Sequence, residues 1–534
     1  MRTVCTVIMI AVLFAAGRAG AEEAALNTAQ EKTGSLSRQE IPDFNKEAFI
    51  ASAESGRVIE LGIADCVTMA LAHNSEIRIT RMSPRIADAY VKIQRGRFEP
   101  DATFDLSIEQ NIEQSSTPLY SLNPSKTKTG MFNFGYDQKL VTGTTLAVDF
   151  YNTRTRSNSQ IQNMQPAFDS LAEVTITQPI LKGFGLTVNK ADLLIAKNNR
   201  LKSDQDFAND VIGILSEVKK SYYALLLRQE YYKTAASSLE RIRSLNKIIN
   251  ERYAKGLASN VDLLQSEAEL ASANQVLLSA EAALRLSEDS LKLITNIIDN
   301  PELWNAALVL RDELGSEKKE TDLVDSIQKA FRYRPDYESA KIDLRNRDIT
   351  VAYTRNGMLP TVDLVGSYGL NGLDKVYEKD LAHLGKGKYP DWSYGVKVSI
   401  PLGSETEKGN YEKAKLEKKQ ALISFKRLEQ KIILGVRDAV RNVDISYRMV
   451  EASRTSKEAQ EEQYRAQVER FKAGLVSTHD IIDYQERLSR AEANFIKSVV
   501  DYNVSLIELA KAKGLTLIDD SIVVQEETHR SVMD

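Results

Sequence analysis

The stretch ERYAKGLASNVDLL at residues 251–264 occurs a second time as ERFKAGLVSTHDII at residues 469–482, and the two copies align without a gap. Each copy has Glu-Arg, an aromatic residue, Gly-Leu, Ser and Asp in the same order, between long helical patterns. Glycine ends a helix in the left-handed conformation at no steric cost. The pattern therefore predicts two helical hairpins with tips at Gly256 and Gly474.

Polar residues that favour helix starts follow each predicted tip. Ser259 or Asn260 can cap the helix after the first tip, and Ser477 or Thr478 the helix after the second. Two ordinary helical turns would also explain these motifs. Because the tip is duplicated at the ends of very long helices, the pattern favours a function for it.

Residues 1–21 have the features of a secretion signal, with Arg2 at the start and an apolar run at 3–16. The run is too short to cross a bilayer as a helix, which takes about 20 apolar residues. Removing the signal removes Arg2 and Arg18, so the formal charge moves from −4 to −6. This charge excludes a nucleic-acid-binding protein. Cys66 would then be the only cysteine, which excludes an internal disulfide.

Both halves of the chain have the same order of elements: helix, proline, strands, proline, long helix, tip and helix. Pro100 matches Pro360, and Ala70-Leu71 matches Ala330-Phe331, each 260 residues apart. The sequence thus predicts two internal repeats. The predicted divisions are a signal at 1–21, an N-terminal arm at 22–60, a first repeat at 61–298, a linker at 299–321, a second repeat at 322–514 and a C-terminal tail at 515–534.

Strand patterns follow Pro100 and Pro360. At 102–110, for example, Phe104 and Leu106 alternate with polar residues, and similar alternation recurs up to Pro179 and again at 362–400. This is the period-2 pattern of strands with one apolar and one polar face. Segments of about 10 residues suit membrane-spanning strands. A soluble sandwich is the alternative.

The helices differ in length in a regular way. The patterns from Pro179 to Gly256 and from Pro401 to Gly474 would each span about 110 Å at about 1.5 Å per residue. The other helices would reach about 50–60 Å. Two short helices placed end to end match one long helix, which predicts a uniform helical wall.

The chain resembles the TolC-like outer membrane efflux family over roughly residues 61–514. The resemblance rests on the duplicated blocks, the two tip motifs, TQPILKGFG at 177–185 and SIPLGS at 399–404. It implies a homotrimer with mixed α and β structure: a transmembrane β-barrel of about four strands per protomer that continues into a long periplasmic α-helical coiled-coil barrel. The tips of such proteins meet a periplasmic adaptor protein, which links the channel to an inner-membrane pump.

The first half departs from the family pattern, because it contains four strand-like segments where the family has two. The segment KLVTGTT at 139–145 suits a tight turn between the middle pair. Either that pair extends long strands beyond the membrane or the barrel count differs, and we expect the family count. Four strands cannot close a barrel, and lipid does not tolerate an open sheet edge, so several chains must join.

We therefore expect a passive outer membrane channel of a tripartite efflux or type I secretion system, with a large periplasmic portion. A soluble periplasmic coiled-coil scaffold is the alternative, although it does not explain the aromatic, alternating strands. An enzyme is disfavoured, since the four histidines are scattered and the residues contain no nucleophile elbow, phosphate loop or metal-ligand cluster. No cofactor or metal is expected.

The tip motifs supply the candidate site residues. Exposed leucines at a hairpin end would mark a partner site, although they could also pack locally on the turn. The residues expected to face the adaptor are Gly256, Leu257, Ser259 and Asp262 in the first tip, and Gly474, Leu475 and Ser477 in the second.

Asp480 and Asp483 lie three residues apart, so they share one face of the helix that leaves the second tip. The resemblance implies that they form the periplasmic constriction, as a ring of six carboxylates in a trimer. Such a ring should bind cations and raise its own apparent pKa values. The alternative is that both acids simply favour a helix start. Gln265 replaces the second aspartate in the first hairpin, and Phe471 has no hydroxyl to bond across the tip, so packing would hold a closed state.

Overall fold

The computed structural model describes residues 58–114, 124–159, 161–297, 304–312, 314–520 and 522. The predicted signal and most of the predicted arm and tail lie outside these residues. The described chain divides into two units. One includes Ala87–Arg200 and Asp343–Leu422, and the other includes Leu201–Ile342 with the described residues before 87 and after 422.

The helices and strands follow the predicted order. In chain order they are β1 (Val58–Leu61), α1 (Ile63–His73), α2 (Ser75–Thr80), α3 (Met82–Gly96), β2 (Asp101–Glu113), β3 (Ser125–Lys139), β4 (Thr145–Ser157), β5 (Ala167–Pro179), α4 (Leu186–Asn189), α5 (Ala191–Ala254), α6 (Asn260–Thr295), β6 (Ala307–Leu310), α7 (Leu323–Tyr333), α8 (Pro335–Gly357), β7 (Thr361–Asp374), α9 (Tyr377–Gly385), β8 (Pro390–Ser399), α10 (Glu405–Lys472), α11 (Thr478–Lys513) and α12 (Thr516–Asp519).

Six strands of the first unit form one antiparallel sheet in the order β2-β3-β4-β5-β7-β8. The sequence predicts about four barrel strands per protomer, whereas the sheet of one chain has six strands. The middle pair does not leave the sheet, because β3 and β4 are paired from Lys139↔Thr145 to Thr127↔Ser157. The turn between them is tight, as predicted: Leu140 N donates to Thr144 O at 2.7 Å, and Gly143 has φ +97°.

The two faces of the sheet differ in polarity. The register pairs even-numbered residues with even-numbered residues, as in the row Tyr136, Val148, Val174, Tyr368 and Trp392. The even face is rich in exposed apolar side chains, since Leu106 is 72 % and Tyr394 82 % exposed. The odd face is acidic. Its acidic residues include Asp101, Asp105, Glu109, Asp137, Asp149, Glu173 and Asp363.

The two longest helices are α5 with 64 residues and α10 with 68. At about 1.5 Å per residue they span about 95 and 100 Å, somewhat less than the 110 Å that the sequence suggested. The prolines at 179 and 401 lie several residues before the helices begin, because turns around Gly185 and Gly403 intervene, both with positive φ. The helices after the tips, α6 and α11, have 36 residues each.

The helices before the strands are interrupted. The helical segment before the first strands breaks at Asn74, which has extended ψ and whose side chain accepts a hydrogen bond from Ile77 N at 3.0 Å. The matching position in the second half, Arg334, is also extended and lies between α7 and α8. Each break follows a fully buried alanine, Ala70 or Ala330.

The second unit is held together by apolar clusters between its helices. One cluster includes Cys66, Tyr222, Leu225 and Leu291, all fully buried. Part of the predicted linker lies beside it, because β6 pairs in parallel with β1. Just after β6, Asp312 Oδ2 accepts a hydrogen bond from the Tyr222 hydroxyl at 2.8 Å, which satisfies that buried phenol.

None of the helices in the described ranges combines the length and the apolar character needed to cross a membrane.

Candidate functional site: the two hairpin tips

Both tips end their first helix in the same way. Gly256 and Gly474 have φ +72° and +76°. Leu257 N donates to Arg252 O at 2.8 Å, and Leu475 N donates to Arg470 O at 3.0 Å. The two glycine amides also donate to the carbonyls three residues earlier, at 2.9 and 3.0 Å. This is the Schellman arrangement, in which a left-handed glycine satisfies the last carbonyls of the helix.

Both tips begin their second helix with the same capping box. Ser259 Oγ accepts from Asp262 N at 3.2 Å, and Asp262 Oδ2 accepts from Ser259 N at 3.0 Å. Ser477 and Asp480 repeat these bonds, both at 3.2 Å. In each box the serine hydroxyl also lies 2.6 Å from the aspartate Oδ2. The helix starts are therefore defined by local sequence alone.

The capping boxes also set the ionisation of the two aspartates. Hydrogen bonds from Ser477 lower the pKa of Asp480, and hydrogen bonds from Ser259 lower the pKa of Asp262. A further bond from Thr478 contributes to the lowered pKa of Asp262. Both carboxylates are thus charged at neutral pH. The rise in pKa that the sequence predicts for Asp480 applies to a ring of carboxylates in an assembled trimer. Within one chain the pKa of Asp480 is lowered instead.

The aromatic residues of the two motifs lie in different environments. Tyr253 in the first tip is 43 % exposed, whereas Phe471 in the second is 3 % exposed. Phe471 packs with Leu245 and Ile249 of α5 and with Ile481 of α11. The first and second hairpins are therefore joined through the aromatic residue of the second motif.

Arg252 adds a polar contact between the hairpins. Its Nη1 donates to Phe471 O at 2.9 Å, and its guanidinium carbon lies 5.1 Å from the centre of the Phe471 ring. The equivalent Arg470 instead donates from Nη1 to Gln467 Oε1 on its own helix at 3.5 Å. The Glu-Arg-aromatic motif alone predicts no role for Arg252, because that role depends on a contact between two repeats that are distant in the sequence.

A second contact joins the helices that leave the tips. Gln265 Nε2 and His479 Nδ1 lie 3.2 Å apart. Gln265 is the residue that stands where the second hairpin has Asp483. The departure from the repeated pattern therefore lies at a contact between the hairpins.

The two candidate constriction residues each have a partner within α11 or its cap. Asp480 is exposed and bonded to Ser477, while Asp483 forms an ion pair with Arg487 at 2.8 Å. They lie one helical turn apart on the same side of the helix. The leucines at the two tips are both exposed, Leu257 by 66 % and Leu475 by 70 %. Within the described ranges no group of three or more His, Cys, Asp or Glu residues could hold a metal ion.

Comparison with known proteins identifies the family of this chain. The sequence pattern of the family described as outer membrane efflux protein matches residues 147–296 and 326–515, more than half of the chain. The chain belongs to this family. The resemblance seen in the sequence is thereby confirmed, and so is an outer membrane location with a large periplasmic portion.

Individual relatives are distant. The probable efflux pump outer membrane protein TtgC of Pseudomonas putida is 20 % identical over 315 residues, which are 59 % of this chain and 63 % of the relative. The match thus spans less than two thirds of that protein. The outer membrane protein TolC of Vibrio cholerae is 23 % identical over 340 residues, 61 % of this chain and 73 % of the relative.

Solved structures agree in fold. The Campylobacter jejuni CmeC outer membrane channel is similar with a TM-score of 0.63 and 18 % identity, covering 88 % of each chain. The Vibrio cholerae outer membrane protein VceC is similar with a TM-score of 0.62 and 14 % identity, covering 85 % of this chain and 96 % of that one. The mixed α and β fold is thereby confirmed.

Proposed function

We propose that this protein is the outer membrane channel of a tripartite efflux or type I secretion system. In this role it is a passive trimeric duct that conducts cargo from a periplasmic adaptor and an inner-membrane pump to the exterior. The main support is one chain that combines an antiparallel sheet with an apolar face and helices of 64 and 68 residues that end in exposed tips. The names of the relatives, which include efflux pump outer membrane proteins, agree with this role.

Exposed apolar residues on the helices support a trimer. In a single chain these side chains are exposed to water, which is unfavourable for apolar surface. Burial against a second copy would remove this unfavourable exposure. On α6 they include Val261, Leu264, Leu278, Leu286 and Leu293, and on α10 they include Leu434, Ile445 and Met449. In the proposed trimer, α6 of one copy packs against α10 of the next.

The soluble scaffold is the weaker candidate, because it leaves the exposed apolar face of the sheet without a function. Three measurements distinguish the candidates. The channel should fractionate with the outer membrane, migrate as a trimer in mild detergent by light scattering, and conduct ions in planar bilayers. A monodisperse monomer that still conducts would contradict the trimer, and a protein found only in the soluble periplasmic fraction would contradict the channel.

The tips are proposed to bind the adaptor. Gly256, Leu257, Ser259 and Asp262 in the first tip lie beside Gly474, Leu475 and Ser477 in the second, within one unit. Leu257 and Leu475 are the exposed apolar groups of this surface. A partner helix that covers both would gain roughly 1.5 kcal/mol or more for each leucine.

Asp480 and Asp483 are proposed to line the constriction. Three copies would place six carboxylates around one axis, and like charges about 4 Å apart repel by about 1 kcal/mol in bulk water. The pKa of Asp480 is lowered within the chain, so this residue enters the ring charged. The constriction should therefore select cations over anions.

Single-channel recording of Asp480→Ala/Asp483→Ala tests this assignment. We expect weaker cation selectivity and loss of block by multivalent cations added on the periplasmic side. The matched control is Asp262→Ala/Gln265→Ala, which removes the equivalent capping acid from the first hairpin. If selectivity and block in the Asp480/Asp483 variant equal those of the parent protein, these aspartates do not line the constriction.

A further inference from the structure

The six-stranded sheet has two open edges. Among the described residues, β2 pairs only with β3, and β8 pairs only with β7. Every residue of both edge strands is exposed. The edge of each strand thus offers a row of backbone N–H and C=O groups with no partner, which lipid does not tolerate.

The two edges are complementary in direction. Neighbouring strands alternate along the sheet, and there are six of them, so β2 and β8 run in opposite directions. If β8 of one copy lies beside β2 of another, the antiparallel alternation continues without interruption. An odd number of strands would have placed two parallel strands at this junction.

The two edges are also complementary in polarity. Phe104, Leu106 and Ile108 on β2 belong to the apolar even face, as do Tyr394 and Val396 on β8. Joining the edges with the even faces on the same side continues one apolar band outward. The acidic odd face then continues on the inner side, where water can solvate it.

From this geometry we infer that copies of this chain join β8 to β2 and that each copy contributes six strands, so that a trimer closes an eighteen-stranded barrel. The inference rests on the proposed trimeric channel and departs from the twelve strands that the family resemblance implies. In a twelve-stranded barrel the neighbour's β8 would have to pair with β4. That edge of β4 is already paired with β3 at both ends, from Thr145 to Phe150 and from Thr153 to Ser157.

The strand number determines the width of the exit. With strands about 4.8 Å apart and tilted by about 40°, eighteen strands give a backbone diameter of about 36 Å, against about 24 Å for twelve. Barrels of 16–18 strands leave an aqueous channel. The outer membrane segment would then admit wide hydrated cargo, and the tips would be the place where cargo size is limited.

Disulfide cross-linking of the full-length protein tests which strand the neighbour's β8 meets. Lys397→Cys on β8 is combined in turn with Thr103→Cys, Asp105→Cys or Ser107→Cys on β2, and separately with Ala147→Cys, Asp149→Cys or Tyr151→Cys on β4. All these positions are odd and share one face, and three positions per strand allow for the unknown register. Cys66 is fully buried, and burial raises its pKa to about 12, so it stays a thiol during mild oxidation.

We expect covalent dimers and trimers on non-reducing gels for at least one β2 combination and for none of the β4 combinations. Asp105→Cys/Asn133→Cys is the control, because these residues are opposite each other on β2 and β3 and should link within one chain without a change in mass. Cross-links to β4 alone would overturn the inference and restore the twelve-stranded barrel. A stable, conducting trimer with no cross-link to either strand would also overturn it.

The trimer itself is tested separately by light scattering on the unmodified protein. If the protein is not a trimer, the proposed function fails first. If it is a trimer, a reconstruction of its barrel should contain eighteen strands, and twelve would overturn only the present inference.

Discussion

The two hairpin tips have nearly the same backbone and very different surroundings. Both use a left-handed glycine, the same helix-end hydrogen bonds and the same serine–aspartate capping box. Yet Phe471 is buried at the contact between the hairpins, while its counterpart Tyr253 is 43 % exposed. A repeated sequence can thus fix a repeated turn without fixing a repeated environment.

Chemistry explains which aromatic residue is buried. Phenylalanine has no polar atom, so it enters an apolar cluster at no hydrogen-bonding cost, whereas a buried tyrosine hydroxyl needs a partner. The Arg252 guanidinium then lies over the Phe471 ring and bonds the Phe471 carbonyl. The hydroxyl that was missing from the second tip is therefore replaced by packing and by an arginine–backbone bond.

The largest effect is expected from the tip glycines. Gly474→Val should abolish export while the protein still inserts as a trimer, because a β-branched residue resists positive φ and the turn must change. Gly256→Val has the same backbone strain and is the matched variant. A Cβ fits at either glycine, but the Gly474 amide donates to Phe471 O, which also accepts from Arg252, so a changed turn at Gly474 also disturbs the contact between the hairpins.

We therefore expect the export defect of Gly474→Val to exceed that of Gly256→Val, measured as dye or drug accumulation in cells with equal amounts of trimer. Equal defects would mean that the contact between the hairpins does not matter for export. Unchanged export by a folded Gly474→Val trimer would contradict the adaptor role of this tip.

The next largest effect concerns the aromatic pair. Phe471→Ala should lower the free energy of unfolding by about 3 kcal/mol, since it empties a buried position. Tyr253→Ala should cost less than about 1 kcal/mol, as is usual for exposed positions. Denaturant titration in detergent measures both. Similar costs for the two variants would show that the asymmetry seen in one chain is lost in the assembly.

The arginine pair should give a smaller difference. Arg252→Ala loses a charged hydrogen bond to a carbonyl and a cation–π contact, together worth about 2 kcal/mol. Arg470→Ala should cost about 0.5 kcal/mol or less. Arg252→Lys should recover part of the loss, because it keeps the charge but not the planar fork. If Arg252→Lys is no more stable than Arg252→Ala, the positive charge does not contribute to this stabilisation.

The smallest difference is expected from the caps. Ser259→Ala and Ser477→Ala should each cost about 1 kcal/mol, with equal values within measurement error, because the two capping boxes have matching geometry. A clear inequality would mean that one cap has a further partner in the assembly.

The caps also make a prediction about pH. The folded pKa values of Asp262 and Asp480 are lowered, so their stabilisation is present above the unfolded pKa of about 4 and is lost as pH falls through the folded value. The cost of Ser259→Ala or Ser477→Ala should therefore shrink below pH 4. A cost that is independent of pH would exclude the carboxylates from the caps.

Much of the fold follows from local sequence. Helical periodicity, the prolines before the long helices and the Gly-Leu and Ser-x-x-Asp motifs determine the helices and both tips, because helix starts and ends depend on residues within one turn. Alternation in the same way determines the strands. Even the break at Asn74 has a local signal, the side-chain cap that starts α2.

The tertiary structure decided what depends on residues far apart in the chain. The alternating pattern does not determine whether the middle strands belong to the sheet. The pairing of β3 with β4 shows that they do, so the sheet has six strands. Likewise, the two tip motifs predicted two equal turns, but only the packing of Leu245 and Ile249 against Phe471 distinguishes one from the other. Strand pairing and burial are contacts between distant segments, so no local pattern can specify them, whereas turns and caps are completed within a few residues of chain.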